Sequence, residues 1–324
     1  MLRQIPLNAL TLYADLDTRA ALEREDAGTV SRRLEGGQRR LYASVRDGVR
    51  LRQIYIGTVG DAKAEAKARA YQDAMERGRQ RRKTVTALKR LGIPAPPLEV
   101  GRIIEAMSRA GLFEAGAVLA GTAAFQCYPC LVGHVLPPAS LMTRDVDISL
   151  ARLAVPKVAA LRRGLEDILQ EADPSFRADM RGEKAPKHFT NRDGFIVDVL
   201  TTPGRTSGPV MIRGLAVYAT PLPFMDYLIN ESVPATALYG RGVPVRVPDP
   251  ARFAFHKLAI AKRRRAQRQK APKDVAQAWA LIEALSAFDR DGLDAAIVDA
   301  KRRGGDIKPV AAEVATKLET MAPG

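Results

Sequence analysis

A chain of 324 residues is long enough for two or three domains and an ample core, and 46% hydrophobic content is ordinary for a water-soluble protein. No run reaches the roughly 18 apolar residues of a membrane helix, and the start MLRQIPLNAL lacks the charged-then-apolar layout of a signal peptide, so the expected location is the cytoplasm, with no membrane partner. A net charge of +15 points to a polyanionic partner, against which stands the general Arg bias of high-GC bacterial proteomes.

Residues 7–24 read as a helix, and residues 28–57 as a three-stranded meander with turns at Glu35-Gly36-Gly37 and Arg46-Asp47-Gly48. The meander carries Arg32, Arg33, Arg39, Arg40, Arg46, Arg50 and Arg52, with Tyr42 and Tyr55 interleaved. Aromatics among arginines on a sheet can stack bases, which makes Arg39 and Arg40 candidate nucleic-acid contacts; a half-buried Tyr covering a small sheet is the other reading. A long helix rich in Ala, Lys, Arg and Glu follows at about 60–91, with a basic stretch at 77–83, until Ile93-Pro94-Ala95-Pro96-Pro97 breaks it as a stiff linker. A helix at 98–112 then leads into a strand ending at Gly121. Beyond a Gly- and Pro-containing loop at 131–141 come a strand, a helix at 156–171, and a hairpin of 187–190 with 195–200 about Asn191-Arg192-Asp193-Gly194. Short strands near 210–219 and 243–247 follow, and Pro248-Asp249-Pro250 opens helices near 250–268, 272–287, 290–303 and 308–321. The expected fold class is α+β, a central mixed sheet with a basic meander and helix before it (1–95), a core at 96–249, and a helical region at 250–324.

Three strands of the core carry the chemistry. VLAGTAAF reads as a strand ending in a Gly-Thr turn, TRDVDISL as a strand with Asp145 and Asp147 at i and i+2, and FIVDVL as a strand holding Asp198. Side chains alternate along a strand, so Asp145 and Asp147 share a face. Two carboxylates forced together repel unless a cation sits between them, and a hard divalent metal with oxygen ligands is the usual solution. Adding Asp198 gives three acids, which suits a two-Mg²⁺ site for phosphoryl or nucleotidyl transfer. Blander readings exist for each piece: Arg144 neutralising the pair at a solvated edge, Asp198 as a buried structural acid, and Gly121 as an ordinary helix-start glycine. The functional reading of Gly121 is close backbone approach to a triphosphate, received by N–H groups of the following helix.

Gly121-Thr122, Asp145-x-Asp147 and the later Asp198 resemble the signature of the polymerase-β-like nucleotidyltransferases. The closer resemblance is to a bacterial nucleotidyltransferase-fold family of unassigned substrate, itself similar to the abortive-infection (type IV toxin–antitoxin) nucleotidyltransferase toxins. In those a downstream Lys and a later Lys/Arg-Asp pair complete the site; Phe255-His256-Lys257-Leu258 and Lys273-Asp274 fit, and the likeness covers 98–285. The turn departs from the toxins' frequent Gly-Gly-Ser, since Leu119-Ala120 precede Gly121, but Thr122 keeps a hydroxyl. The resemblance implies an enzyme using Mg²⁺ or Mn²⁺ to move an NMP from an NTP to a hydroxyl of RNA, a tRNA end included, or of a protein, with toxin-like action and an antitoxin partner. On it, Asp145 and Asp147 hold both metals, Asp198 the one nearer the attacking hydroxyl, and Gly121 with Thr122 grips the β,γ-phosphates. Lys257, or failing it Lys273, balances the leaving pyrophosphate, and Asp274 contacts the nucleotide or pairs with Lys257; the other readings are a snorkelling surface Lys257 and Asp274 as a partner of its helix's N-terminal dipole. The alternative is a nucleic-acid-binding protein with a decayed transferase site. A structural basic protein with no chemistry would leave three intrastrand acids unexplained.

From 252 to 273 there are nine Lys or Arg and no Asp or Glu, including Lys262-Arg263-Arg264-Arg265. Like charges on one helix destabilise it in isolation, so an external anion, triphosphate or RNA, is the expected compensation, with Arg263, Arg264 and Arg265 as RNA contacts. Cys127 and Cys130 form CYPC. Zinc would need two more ligands, and only His134, His188 and His256 exist in the chain. A redox dithiol wants the N-terminus of a helix in a thioredoxin-like unit, whereas this pair falls several residues into a helix that Pro129 ends. Two small apolar residues in a reducing compartment are the better account, and His256, beside Phe253 and Phe255, reads as packed.

Overall fold

A computed structural model describes residues 2–23, 27–47, 50–137, 145–150, 164–179, 186–204, 208–263 and 271–321, with the backbone alone at 46, 47, 50, 145–150 and 321. After β1 (Arg3–Gln4), α1 (Leu7–Leu22) buries Ala9, Tyr13, Leu16 and Ala20, a stripe at three- and four-residue spacing that faces inward. β2 (Gly28–Glu35), β3 (Gln38–Asp47) and β4 (Arg50–Thr58) form the antiparallel meander. α2 (Ala62–Arg90) starts at Asp61, whose carboxylate accepts the Lys63 N–H at 2.9 Å. It covers one face of the meander, where Leu41 packs on Ala64 and Ala68.

The middle of the chain runs through α3 (Leu98–Arg109), β5 (Ala117–Ala120), α4 (Gly121–Phe125), β6 (His134–Val135), β7 (Asp145–Leu150), α5 (Leu165–Ala172), β8 (Arg177–Ala178), β9 (His188–Thr190), β10 (Ile196–Thr201), β11 (Val210–Ile212), β12 (Val217–Pro221), α6 (Met225–Ile229), β13 (Ser232–Ala237) and β14 (Val243–Pro248). The main sheet has the order β11-β12-β10-β7-β5, with β9 also on β10 and β8 on β9. β7, β10 and β12 are mutually parallel, whereas β5, β9 and β11 each pair antiparallel, so the sheet is mixed. Four helices close the chain: α7 (Pro250–Arg263), α8 (Ala271–Phe288), α9 (Arg290–Arg303) and α10 (Ile307–Met321). One apolar cluster joins α3, the sheet and these helices, from Val100 through Val197 and Val199 to Phe253, Phe255 and Leu318. A second ties α1 to Val85, Leu88 and Ile93, so the Pro-rich break at 93–97 is anchored by a buried Ile93. α1 also reaches β13, where the Thr236 N–H donates to the Tyr13 hydroxyl at 2.8 Å and Thr236 Oγ1 donates to Asp17 at 2.6 Å.

Several elements differ from the sequence expectation. β13 was hidden by Pro234, which removes a ladder donor; the strand tolerates it because β13 and β14 form a two-stranded pair with open edges. α4 stops at Phe125, before the cysteines rather than at Pro129. Of the helix expected at 156–171, residues 156–163 lie outside the described residues, as do 264–268 of the helix expected to reach 268.

Candidate active site

On β10, Val197 and Val199 are buried while Ile196 and Asp198 are at least partly exposed, so Asp198 interrupts the apolar run in sequence but not in space. Register places Asp198 beside Asp147 on β7 and beside His188 on β9, and Asp147 in turn beside Ala120, the last residue of β5. One row across four strands therefore reads His188, Asp198, Asp147, Ala120. Register partners share a sheet face about 4.8 Å apart, and Asp145 joins the same face two residues earlier on β7. By register and alternation the three positions fall on one face of the sheet, toward the starts of β7 and β10. Their opposite neighbours, Val197, Val199 and Phe189, belong to the core.

The chain leaves the end of β5 through Gly121, whose φ of +60° lies in the left-handed region that favours glycine. Gly121 and Thr122 are partly exposed, whereas residues 123–130 are buried. Aromatic packing fixes the turn against α7. The Phe125 ring stacks on Phe253 at 6.2 Å, the Tyr128 ring meets Phe253 edge-on at 5.2 Å, and the Tyr128 hydroxyl donates to the Pro248 carbonyl at 3.0 Å. From the other side, buried Gln277 on α8 brings Nε2 to 3.5 Å from Thr122 Oγ1.

One helical turn before Gln277, Asp274 accepts from Lys257 Nζ at 2.7 Å, and the two side chains are 6% and 14% exposed. Lys257 Nζ also lies 5.4 Å from the centroid of the Phe253 ring, so the residue that holds the Gly-Thr turn also touches the lysine. Lys273 is half-buried beside Asp274. A nucleotidyltransferase family model matches residues 98–301, the stretch holding the turn, the three acids, Lys257 and Asp274. The chain belongs to this nucleotidyltransferase family. Comparison with curated proteins and with solved structures finds no match. The meander and α2 precede the segment the nucleotidyltransferase family covers. Among the described residues no helix is long and apolar enough to cross a membrane.

Two residues beside the candidate site were not singled out from the sequence. Gln277 sits at i+3 from Asp274, the one sequence signal that could have found it. His188 stands in the acid row, and its Nε2 lies 2.8 Å from Asp179 Oδ2; its place follows from counting back through the hairpin turn.

The basic candidates behave differently. Arg39 and Arg40 are neighbours on β3 and so occupy opposite faces of the meander. On α7, Arg252 pairs with Asp299 at 2.8 Å, Lys262 with Glu313 at 2.5 Å, Lys257 with Asp274, and Arg263 with Asp306 while also covering the Phe224 ring. For these four cations the expected external anion is replaced by acids from later in the chain. Arg264 and Arg265 lie outside the described residues. Cys127 and Cys130 are buried, free and in different apolar clusters, and burial pushes each thiol up to about 12. Both act as small apolar side chains. His256 is buried too.

Proposed function

We propose that this chain transfers a nucleoside monophosphate from an NTP to a hydroxyl acceptor. The carrying observation is the register that sets Asp198 beside Asp147, with Asp145 on the same face, next to the end of β5 from which the Gly121-Thr122 turn departs. Three hard oxygen donors on a partly open face fit Mg²⁺ or Mn²⁺, and Asp145, Asp147 and Asp198 would hold it. A bound divalent ion supplies charge neutralisation at the transferred phosphate and at the departing pyrophosphate. Gly121 offers backbone at close range, and Thr122 offers a hydroxyl that Gln277 Nε2 approaches to 3.5 Å. Asp198 accepts the proton of the attacking hydroxyl. Lys257, held by Asp274, places positive charge on the side of the turn where pyrophosphate would leave.

The test incubates purified protein with each α-labelled NTP, Mg²⁺ or Mn²⁺, and total cellular RNA, and asks what becomes labelled. Label should enter a macromolecule with the parent chain and vanish with Asp198→Asn, whose thermal melt stays within a few degrees of the parent. Labelling by Asp198→Asn at the parental rate would remove the acid row from the chemistry.

A further inference from the structure

The meander has two unlike faces. One, with Leu41, Ala43 and Val45, is buried, with α2 packed against it. The other carries Arg33, Arg40, Tyr42 and Tyr55 in register: Arg33 opposite Arg40 and Tyr42 opposite Tyr55. The tyrosine rings are 5.4 Å apart but tilted by 54°, so neither covers the other's face, and Tyr55 is 51% exposed. Arg33 lies 5.4 Å from the Tyr42 ring centroid and Arg40 5.9 Å from that of Tyr55. Glu35 on the same face accepts from the Tyr42 hydroxyl at 2.7 Å and pairs with Arg40 at 3.3 Å, which fixes the ring and one guanidinium in place. Seven Arg against Glu35 and Asp47 leave residues 28–58 strongly positive. None of this belongs to the segment matched by the transferase family.

We propose that this face binds single-stranded RNA, with Tyr42 and Tyr55 stacking on unpaired bases and Arg33 and Arg40 holding the flanking phosphates. Each ring has one guanidinium over it and Tyr55 is half exposed, an arrangement of ring and cation that suits bases free to splay out, which bases inside a duplex are not. Ser44 and Gln53, register partners on the same face, are neutral groups able to meet a 2′-hydroxyl, which favours RNA over DNA. The identity of this RNA as the acceptor rests on the transferase reading; its binding does not.

Binding is measured by fluorescence anisotropy on the full chain, with EDTA and without NTP, using a labelled single-stranded RNA, the same sequence as DNA, the RNA duplex, and polyphosphate. The single-stranded RNA should bind most tightly. Tyr55→Ala should weaken it about tenfold while leaving polyphosphate binding unchanged, and Tyr55→Phe, which keeps the ring, should bind as the parent. A Tyr55→Ala variant that binds RNA like the parent, or that loses RNA and polyphosphate equally, overturns the proposal, as does a duplex or DNA bound as tightly as the single strand. An inactive transferase with intact RNA binding sinks the catalytic reading alone. An active one whose Tyr55→Ala variant still binds sinks this inference alone.

Discussion

Lys257 and Asp274 meet at 2.7 Å with little of either side chain exposed, so removing Lys257 takes a charged partner from a buried carboxylate that water reaches poorly. Lys257→Ala should therefore lower unfolding free energy by about 3 kcal/mol, read by chemical denaturation, whatever its part in catalysis. Loss of activity in that variant alone says little. The double change Lys257→Met with Asp274→Leu removes both charges and should recover most of the stability. If Lys257 serves the leaving pyrophosphate, the stable double variant still fails to transfer label. Transfer at the parental rate would exclude both residues and leave Lys273 as the candidate cation. Gly121 is a second residue-scale constraint: at φ +60°, Gly121→Ala costs about 1–2 kcal/mol of backbone strain. Gly121 was readable as a turn glycine of the Gly-Thr motif, though its left-handed φ was not. Gln277 was not readable as a partner of Thr122, because 155 residues separate them and only packing of α8 on the turn brings them together.

The hairpin that carries His188 and Asp198 is fastened at its turn by Asn191, whose Oδ1 accepts the N–H of Asp193 at 3.0 Å and of Phe195 at 2.8 Å. Its Nδ2 donates to Asp173 at 2.8 Å, and Asp173 also accepts the Ser175 N–H at 2.8 Å. Partial burial works against the ionised Asp173, but hydrogen bonds from Ser175 and Asn191 outweigh it and hold its carboxyl below the usual range. A depressed folded value means that the stability Asp173 contributes is present above the ordinary carboxylate value and is lost as pH falls through the lower folded one. Asp173→Ala should then cost about 1 kcal/mol at pH 7, and the gap from the parent should close in acid below roughly pH 4. Melts that differ equally at pH 7 and in strong acid would separate Asp173 from the turn. This hairpin was legible because Asn191-Arg192-Asp193-Gly194 is turn chemistry between two apolar runs. The environment of α7 was not. Nine cations and no acid over 252–273 look unbalanced locally, yet Asp299, Asp306 and Glu313 fold back onto Arg252, Arg263 and Lys262 from 43 to 51 residues further along the chain.

Across the whole molecule a net charge of +15 must be divided between cations neutralised inside the fold and cations offered to a partner. Lys262 with Glu313 and Arg263 with Asp306 are about half exposed, so each pair contributes little stability and is screened by salt. The main apolar cluster, from α3 to α10, does not depend on them. Raising salt from low to moderate should thus leave the melting temperature nearly unchanged while RNA affinity falls steeply, with a log-log slope of about −0.7 for each single-strand phosphate neutralised. Where the slope resides separates the two basic regions. Arg33→Gln with Arg40→Gln should flatten it, chiefly through Arg33, since Arg40 already shares its charge with Glu35. Arg263→Ser should leave it as in the parent, because that guanidinium is occupied by Asp306 and the Phe224 ring. A slope lost on changing Arg263 but kept on changing Arg33 and Arg40 would move the RNA surface from the meander to α7.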